Sequence, residues 1–534
     1  MKLESLLSKL EYKAYEGNTG READISDIEI KSVVNNSKKI EEGCFFMCIK
    51  GANFDGHSVS KEAADKKAAA ILVQDDVELP DGCTMPVIKV KDTRYAMAFI
   101  SAAWFGNPAQ SLKTIGITGT KGKTTTTYLI KSMLENAGHK VGLIGTIEVI
   151  IGDKHIPAKN TTPESYDLQE YMRQMVDEGC DSLVMEVSSQ ALMQYRSQGF
   201  VYDLGLFTNI EPDHIGPNEH KDFEDYMHCK GLLFKQCKVG IANADDEHME
   251  KVVEGHTCKL ETFGFSEKAD LRAINLAYIR KPGQLGVFFD TEGLIELHAE
   301  VRTPGKFSVY NALCAIAVAR HFGCTEEEIT SALKNAKVKG RIEMVKVSDD
   351  FTLMIDYAHN AMALKSLLST LKDYRPNRLV CLFGCGGNRS KLRRYEMGEV
   401  SGRLADLTII TSDNPRFEEP LDIIHDIETG MKKTDEAILT GVSMEPGMLG
   451  AAAYDSVSGE YFLCMGDRVE GSFHGTGDIF ASVCVGSLAN GGSLGEAVER
   501  AVSFTCESIK FTKNDPSDRR SGVNFEKALP ILTK

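Results

Sequence analysis

From about residue 112 the chain keeps one rhythm: a short apolar run, a loop, an amphipathic run, then the next apolar run. TIGIT, KVGLIG, DSLVMEVSS and DLGLFTNI are apolar on both faces, whereas TTTTYLIKSMLENAG and SYDLQEYMRQMVDEG repeat apolar residues at helical spacing. Strands without a polar face, alternating with such helices, need a largely parallel sheet covered by helices on both sides. That restricts the class to α/β. A second alternating stretch begins near residue 341, with FTLMIDY, NRLVCLFG and LTIITSD as strands.

The first turn of this rhythm carries the most specific motif. Residues 116–125 read GITGTKGKTT. Gly119 and Gly122 let the amides of Gly119, Thr120, Lys121, Gly122 and Thr125 turn toward phosphate oxygens at a helix N-terminus. Lys123 reaches the terminal phosphates, and the hydroxyl of Thr124 suits Mg²⁺. Gly116 lies six residues before Gly122, one more than the general G-x-x-x-x-G-K-[ST] form requires. The core G-x-x-G-K-T-T nevertheless stands between strand and helix, and the reading is a P-loop that binds ATP.

Length and composition bound the rest. A chain of 534 residues is too long for one core, and 42% hydrophobic with 26% charged residues is ordinary globular composition. A formal charge of −16 argues against nucleic acid and anionic membranes as partners, though not against a small anion in a local basic cleft. No segment has the length and apolarity of a membrane span, and the N-terminus lacks a signal-peptide pattern, so a cytoplasmic protein is expected. The 14 cysteines are scattered without CxxC pairs and are read as reduced thiols. Gly106-Asn107-Pro108 ends a helix pattern and marks a boundary. The expected parts are residues 1–108, 109–336, 337–438 and 439–534.

Residues 114–127 and several spaced motifs resemble the Mur ligases, most closely those that add the third residue of the bacterial stem peptide. The resemblance spans about residues 30–438 and implies three domains: one for a uridine nucleotide, a central P-loop ATPase with a parallel sheet, and a Rossmann-like third domain. It implies that Glu186 in MEVSSQAL and His214 in EPDHIG bind metal near the γ-phosphate, and that Lys230 in YMHCKGLLF is carried as a carbamate supporting Mg²⁺. It likewise implies contacts to the muramoyl dipeptide from Thr161 and Thr162 in NTTPES, Ser188 and Arg196, and to the uridine nucleotide from Ser37. The usual Asp-Ser-Arg is here Asn36-Ser37-Lys38, which keeps one positive charge but not the guanidinium fork. Asn311, Arg341, Asp356 and His359 correspond to residues that close over ATP. Arg389 in GCGGNRSK and the run Asp413-Asn414-Pro415-Arg416 correspond to the amino-acid site. Arg416 offers a planar fork to the second carboxylate of meso-diaminopimelate, a group that lysine lacks.

Past about residue 438 that pattern stops, and the Gly-Lys-Gly-His-Glu segment expected near the end is absent. Residues 439–534 instead resemble the C-terminal part of a pyridoxal or pyridoxamine kinase of the ribokinase-like class. FHGTGDIFASVCVG is the telling run, in which Asp478 would be the base toward a substrate hydroxyl. Under 100 residues of a fold that needs over about 250 are present, so no kinase activity is expected. The expected fold is therefore a three-domain Mur ligase architecture, truncated in its third domain and continued by a ribokinase-like fragment. The tail's AILTGVS is the candidate strand to complete the third domain's sheet, with the helices after Asp478 packing against it.

The implied activity is ATP- and Mg²⁺-dependent joining of meso-diaminopimelate to UDP-N-acetylmuramoyl-L-alanyl-D-glutamate through an acyl phosphate. The alternatives are a catalytically impaired nucleotide-binding chimera and the L-lysine-adding ligase. Oligomeric state is left open.

Overall fold

Six strands lie parallel at the centre of the largest sheet, in the order Lys259–Gly264, Cys237–Asn243, Tyr202–Phe207, Lys113–Thr118, Ser182–Glu186 and Val141–Ile144. Their side chains alternate between two cores, as the two-residue period of a strand requires. Val184, Leu204 and Leu206 face a core shared with Ile130 and Leu134 of the helix Lys123–Asn136 and Leu313 and Ile316 of Lys306–Phe322. Leu183, Met185 and Phe207 face Leu168 and Met172 of Ser165–Asp177 and Tyr226 of Phe223–Gly231. The sheet is mixed rather than uniformly parallel. Glu148–Ile151 and Lys154–Pro157 extend one edge antiparallel, and Gln284–Gly293 pairs antiparallel with Leu297–Val301 at the other.

The computed structural model describes residues 1–534 apart from 52–53, 217–218, 282, 337, 339–341, 346–350, 412, 432–435, 443–446, 456–459, 470–472, 474, 514–522 and 533–534. The chain divides into two compact units, residues 1–277 with 286–339, and residues 278–285 with 340–534. The first unit holds the large sheet and a smaller one of five strands, ordered Lys13–Glu16, Pro86–Lys89, Ala70–Val73, Cys44–Met47 and Ser32–Val34. Cys44–Met47 and Ala70–Val73 are buried along their whole length, which explains the apolar runs CFFM and AILV.

The second unit is built on another five-stranded sheet, ordered Val380–Phe383, Leu407–Ile410, Glu436–Val442, Met448–Asp455 and Glu460–Asp467. The first two junctions are parallel and the last two antiparallel. Cys381 and Ile410 face the helices Ala361–Asp373, Lys391–Leu404 and Pro420–Gly430 through Leu364, Leu368, Met397 and Ile427. Leu407 and Ile409 face the opposite core, built from Phe480, Val483 and Cys484 of Thr476–Ala489 and Val498, Ala501 and Val502 of Leu494–Lys513. The tail thus completes the sheet as expected: AILTGVS, from residue 437, supplies all but the first residue of the strand Glu436–Val442, which pairs in parallel with Leu407–Ile410. Residue 438 lies inside that strand, so no break between folded bodies falls there. Among the described residues no helix is long and apolar enough to cross a membrane.

Candidate active site

The strand Lys113–Thr118 runs into residues 119–122 and then the helix Lys123–Asn136, whose first amides have no intrahelical partner. Gly119 takes φ +150°, and a Cβ there would sit 2.0 Å from Thr208 Oγ1, so only glycine fits. The loop is pinned from the next strand end. The Thr120 amide donates to the Asn209 carbonyl at 2.9 Å, and the Lys121 amide to Asn209 Oδ1 at 2.9 Å. Thr208 Oγ1 and Asn209 Nδ2 both donate to the Lys121 carbonyl, at 2.7 and 3.0 Å. Lys121 Nζ pairs with Glu211 at 2.7 Å. Sequence reading missed Thr208, Asn209 and Glu211. The only signal was their place just past a doubly buried strand, Thr208 and Asn209 ahead of EPDHIG and Glu211 as its first residue.

Glu186 closes the strand Ser182–Glu186 and is 1% exposed. Thr124 Oγ1 donates to its Oε1 at 3.0 Å; the Thr146 amide and hydroxyl add bonds of 2.8 and 3.0 Å. All are neutral donors, and among the described residues no cation pairs with it. A buried carboxylate of this kind is costly unless a charge balances it. The chain supplies hard oxygen donors beside it, which fits Mg²⁺.

The same carboxylate adjoins the residues assigned to the dipeptide. Thr146 Oγ1 lies 3.1 Å from Thr161 Oγ1, and Thr162 Oγ1 donates to the Glu186 carbonyl at 2.9 Å. Thr162 Oγ1 accepts from the Ser188 amide at 3.0 Å, while its carbonyl accepts from Arg196 Nη1 at 3.1 Å. Arg196 and Arg94 both pair with Glu164, at 3.1 and 2.9 Å. Six of the expected residues, Thr124, Glu186, Thr161, Thr162, Ser188 and Arg196, are therefore brought together. Thr146 joins them without having been singled out.

Two lysines converge on the loop from the other side. Lys123 Nζ donates to the carbonyls of Gly119 and Thr120 at 2.8 and 3.2 Å, and Lys230 Nζ to that of Gly119 at 2.9 Å. Lys230 is 2% exposed, with its ammonium 4.4 Å from the Tyr226 ring centroid. Burial first, and the neighbouring Lys123 charge second, push its pKa well below the ordinary lysine value. Tyr226 Oη in turn lies 3.1 Å from Thr120 Oγ1. His214 is half exposed at φ +55°, its Nδ1 3.1 Å from Glu219 Oε1. Asn311 is buried, accepting from Thr126 Oγ1 at 3.3 Å. In the smaller sheet's region Ser37 opens a short turn in which Asn36 Oδ1 accepts from the Lys38 amide at 3.0 Å.

In the second unit the loops bearing Arg389 and Arg416 run side by side. The Gly387 amide donates to the Asn414 carbonyl at 2.8 Å, and a Cβ on Gly387 would meet the Pro415 carbonyl at 1.8 Å. Asp413, Asn414, Arg389 and Arg416 are exposed, and Arg416 holds φ +53°. Asp356 accepts from the amides of Ile342 and Ala358 at 3.0 and 2.9 Å, and His359 Nδ1 lies 3.2 Å from the Tyr357 carbonyl. Arg341 and His474 lie outside the described residues, as does the side chain of Asp478.

Comparison with known proteins converges on one family. Residues 29–105 match the model "Mur ligase family, catalytic domain", 117–319 "Mur ligase middle domain", and 340–468 "Mur ligase, glutamate ligase domain". The chain is 40% identical over 434 residues to a UDP-N-acetylmuramoyl-L-alanyl-D-glutamate--2,6-diaminopimelate ligase of Clostridium perfringens, covering 80% of this chain and 87% of that one. It is 42% identical over 444 residues to ligase 1 of that name in Clostridium acetobutylicum, covering 82% and 89%. Among solved structures, one of the same ligase activity superimposes with a TM-score of 0.61 at 26% identity, covering 76% of this chain and 83% of the other. MurF from Acinetobacter baumannii shares the fold, with a TM-score of 0.54 at 18% identity over 81% and 88% of the two chains.

Proposed function

The chain belongs to the Mur ligase family, and on that premise we propose that it joins meso-diaminopimelate to UDP-N-acetylmuramoyl-L-alanyl-D-glutamate with conversion of ATP to ADP and phosphate. One observation carries the reading. Glu186 is bonded at once to Thr124 of the nucleotide loop and, through Thr146 and its own carbonyl, to Thr161 and Thr162 on the dipeptide side. Phosphoryl transfer to a carboxylate needs that adjacency, because two anions must meet in line. The phosphates are assigned to the loop 119–122 and the N-terminus of the helix Lys123–Asn136, with the Thr120 and Lys121 amides committed to Asn209, and Lys123 neutralises the transferred group. Arg196 orients the dipeptide, and Ser37 belongs to its uridine end. Thr124, Glu186, His214 and Lys230 as a carbamate would hold Mg²⁺, which supplies positive charge between the reacting anions. Asn311, Asp356, His359 and Arg341 are assigned to the nucleotide, and Arg389 with Asp413, Asn414, Pro415 and Arg416 to the incoming amino acid.

We assign residues 1–108 to the uridine nucleotide, 109–336 to ATP and 337–438 to the amino acid. Residues 439–534 are assigned a ribokinase-like origin. The tail reading is supported by the HGTGD run and by Gly475, at φ +83°, capping the helix Thr476–Ala489. The absent Gly-Lys-Gly-His-Glu segment favours a second reading, in which amino-acid binding is impaired.

Phosphate release separates these readings. It is expected only when ATP, dipeptide and meso-diaminopimelate are all present, to be lost in Lys123→Ala, and to stay near parent level in Asp478→Ala. L-lysine should be used about 10–100-fold less well, a margin that Arg416→Ala removes. Equal use of both amino acids by the parent would refute the assignment of Arg416. ATP binding without turnover would establish the impaired chimera.

A further inference from the structure

Behind the exposed arginines of the second unit stands a buried one. Arg394, in the helix Lys391–Leu404, is 1% exposed. Its Nη2 donates to Glu418 Oε1 at 2.8 Å and its Nη1 to Asp426 Oδ2 at 2.9 Å. Glu418 lies two residues past Arg416, and the same Oε1 accepts from the amide of Asn388, the neighbour of Arg389. Asn388 Oδ1 returns the contact by accepting from the Phe417 amide at 3.2 Å. On the other side Tyr395 Oη donates to Asp426 Oδ1 at 2.9 Å, which holds that carboxylate in place. Asn388 and Arg416 both keep left-handed backbone, at φ +52° and +53°. Non-glycine residues stay there only where the surroundings over-determine them, and such strain gathers at binding sites.

We propose that Arg394 and Glu418 are positioning residues for amino-acid selection, locking the two loops that present Arg389 and Arg416 to the incoming diamino acid. The proposal rests on the reading above that those arginines bind it. Stability alone does not account for the network, since a buried ion cluster is commonly no better for folding than apolar residues of equal volume. The lock does supply a fixed backbone on which two otherwise mobile exposed guanidinium groups are spaced. The Glu418 carboxyl is held at about 2, chiefly by the Arg394 hydrogen bond and then by the Asn388 amide, so the lock stays charged at any working pH.

The test is steady-state kinetics on the full chain with Arg394→Lys and Glu418→Gln, alongside calorimetric titration with meso-diaminopimelate. The KM and Kd for meso-diaminopimelate should rise about 10–100-fold, the scale of a small misplacement of binding groups. The KM for ATP and for the dipeptide should stay within about twofold, and preference over L-lysine should shrink. Asn388→Gly, which accepts the same backbone without strain, should give a smaller rise in the same constant alone. An unchanged KM for meso-diaminopimelate in well-folded variants overturns the proposal. So does a parallel loss in all three KM values with a lowered melting temperature in every variant. A parent that neither binds nor uses meso-diaminopimelate sinks this inference and the functional reading together, whereas unaffected variants of an active parent sink this inference alone.

Discussion

Two ammonium groups meeting at the carbonyl of Gly119 form an arrangement that electrostatics opposes. Lys123 is assigned above to the phosphates, but Lys230 is buried beside it with its pKa pushed well down. A lysine whose folded value lies below its unfolded value of about 10.4 penalises the folded state at neutral pH, and the penalty fades as pH rises toward that value. The neutral amine it favours is the form that attacks CO₂, giving a carbamate and one released proton. Carbamate formation would turn the misfit cation into an anion facing Lys123. Lys230→Met should therefore melt no lower than the parent at pH 7, yet lose phosphate release by about 10–100-fold or more, as when a metal's support is removed. Labelling with ¹³C-bicarbonate should give a carbamate carbon resonance that is missing in the variant. A variant that melts much lower, or a parent without that resonance, would contradict this account.

At the next scale, strand and helix ends meet through charge as well as through apolar cover. Glu261 of the strand Lys259–Gly264 is 4% exposed and bonds Arg320 and His321 in the last turn of Lys306–Phe322, with His321 Nε2 at 2.9 Å. Lys259 adds a contact of 3.0 Å. Burial alone raises the carboxyl's pKa, but the bonds from Lys259, His321 and Arg320 together outweigh it and bring it to about 2. A depressed carboxyl stabilises the fold above its unfolded value and loses that contribution as pH falls through the folded one. Glu261→Gln should lower the melting temperature at pH 6, and the gap to the parent should close between about pH 4.5 and 2. Parallel curves through that range would exclude it. The strand of Glu261 was not picked out beforehand, nor were Leu271–Lys281, Gln284–Gly293 and Leu297–Val301. Leu271–Lys281 is exposed over much of its length, so no doubly apolar run betrays it. The parallel strands announced themselves through burial on both faces, and Lys123, Glu186 and Lys230 through motif spacing. Thr146, Thr208, Asn209 and Arg394 did not, because their partners lie 15 to 90 residues away and their residue types carry no period.

At the scale of the whole chain the question is whether the C-terminal segment is cargo or structure. The sheet of the second unit has only Val380–Phe383 and Leu407–Ile410 ahead of residue 436; three of its five strands come from later residues. Two strands are marginal as a sheet, and the core on one of its faces is built mostly from later residues. Leu407 and Ile409 are 1% and 0% exposed, and the residues covering them, Phe480, Val483, Cys484, Val498 and Ala501, all lie past residue 436. Exposing those two side chains alone costs about 3–6 kcal/mol, against a total stability of about 5–15 kcal/mol for a domain. Deleting residues 436–534 should therefore unfold the second unit rather than trim it. Calorimetry should lose one transition, and brief proteolysis should consume residues 340–435. The first unit, whose cores draw on none of the deleted residues, should persist as a fragment ending near residue 339 and still bind ATP. Asp478→Ala is the control, because it leaves the covering helix in place. If the shortened chain keeps a protease-resistant second unit and normal meso-diaminopimelate turnover, the tail is cargo. If turnover falls with the lost transition while Asp478→Ala does not alter it, the tail serves the ligase as the missing half of its sheet.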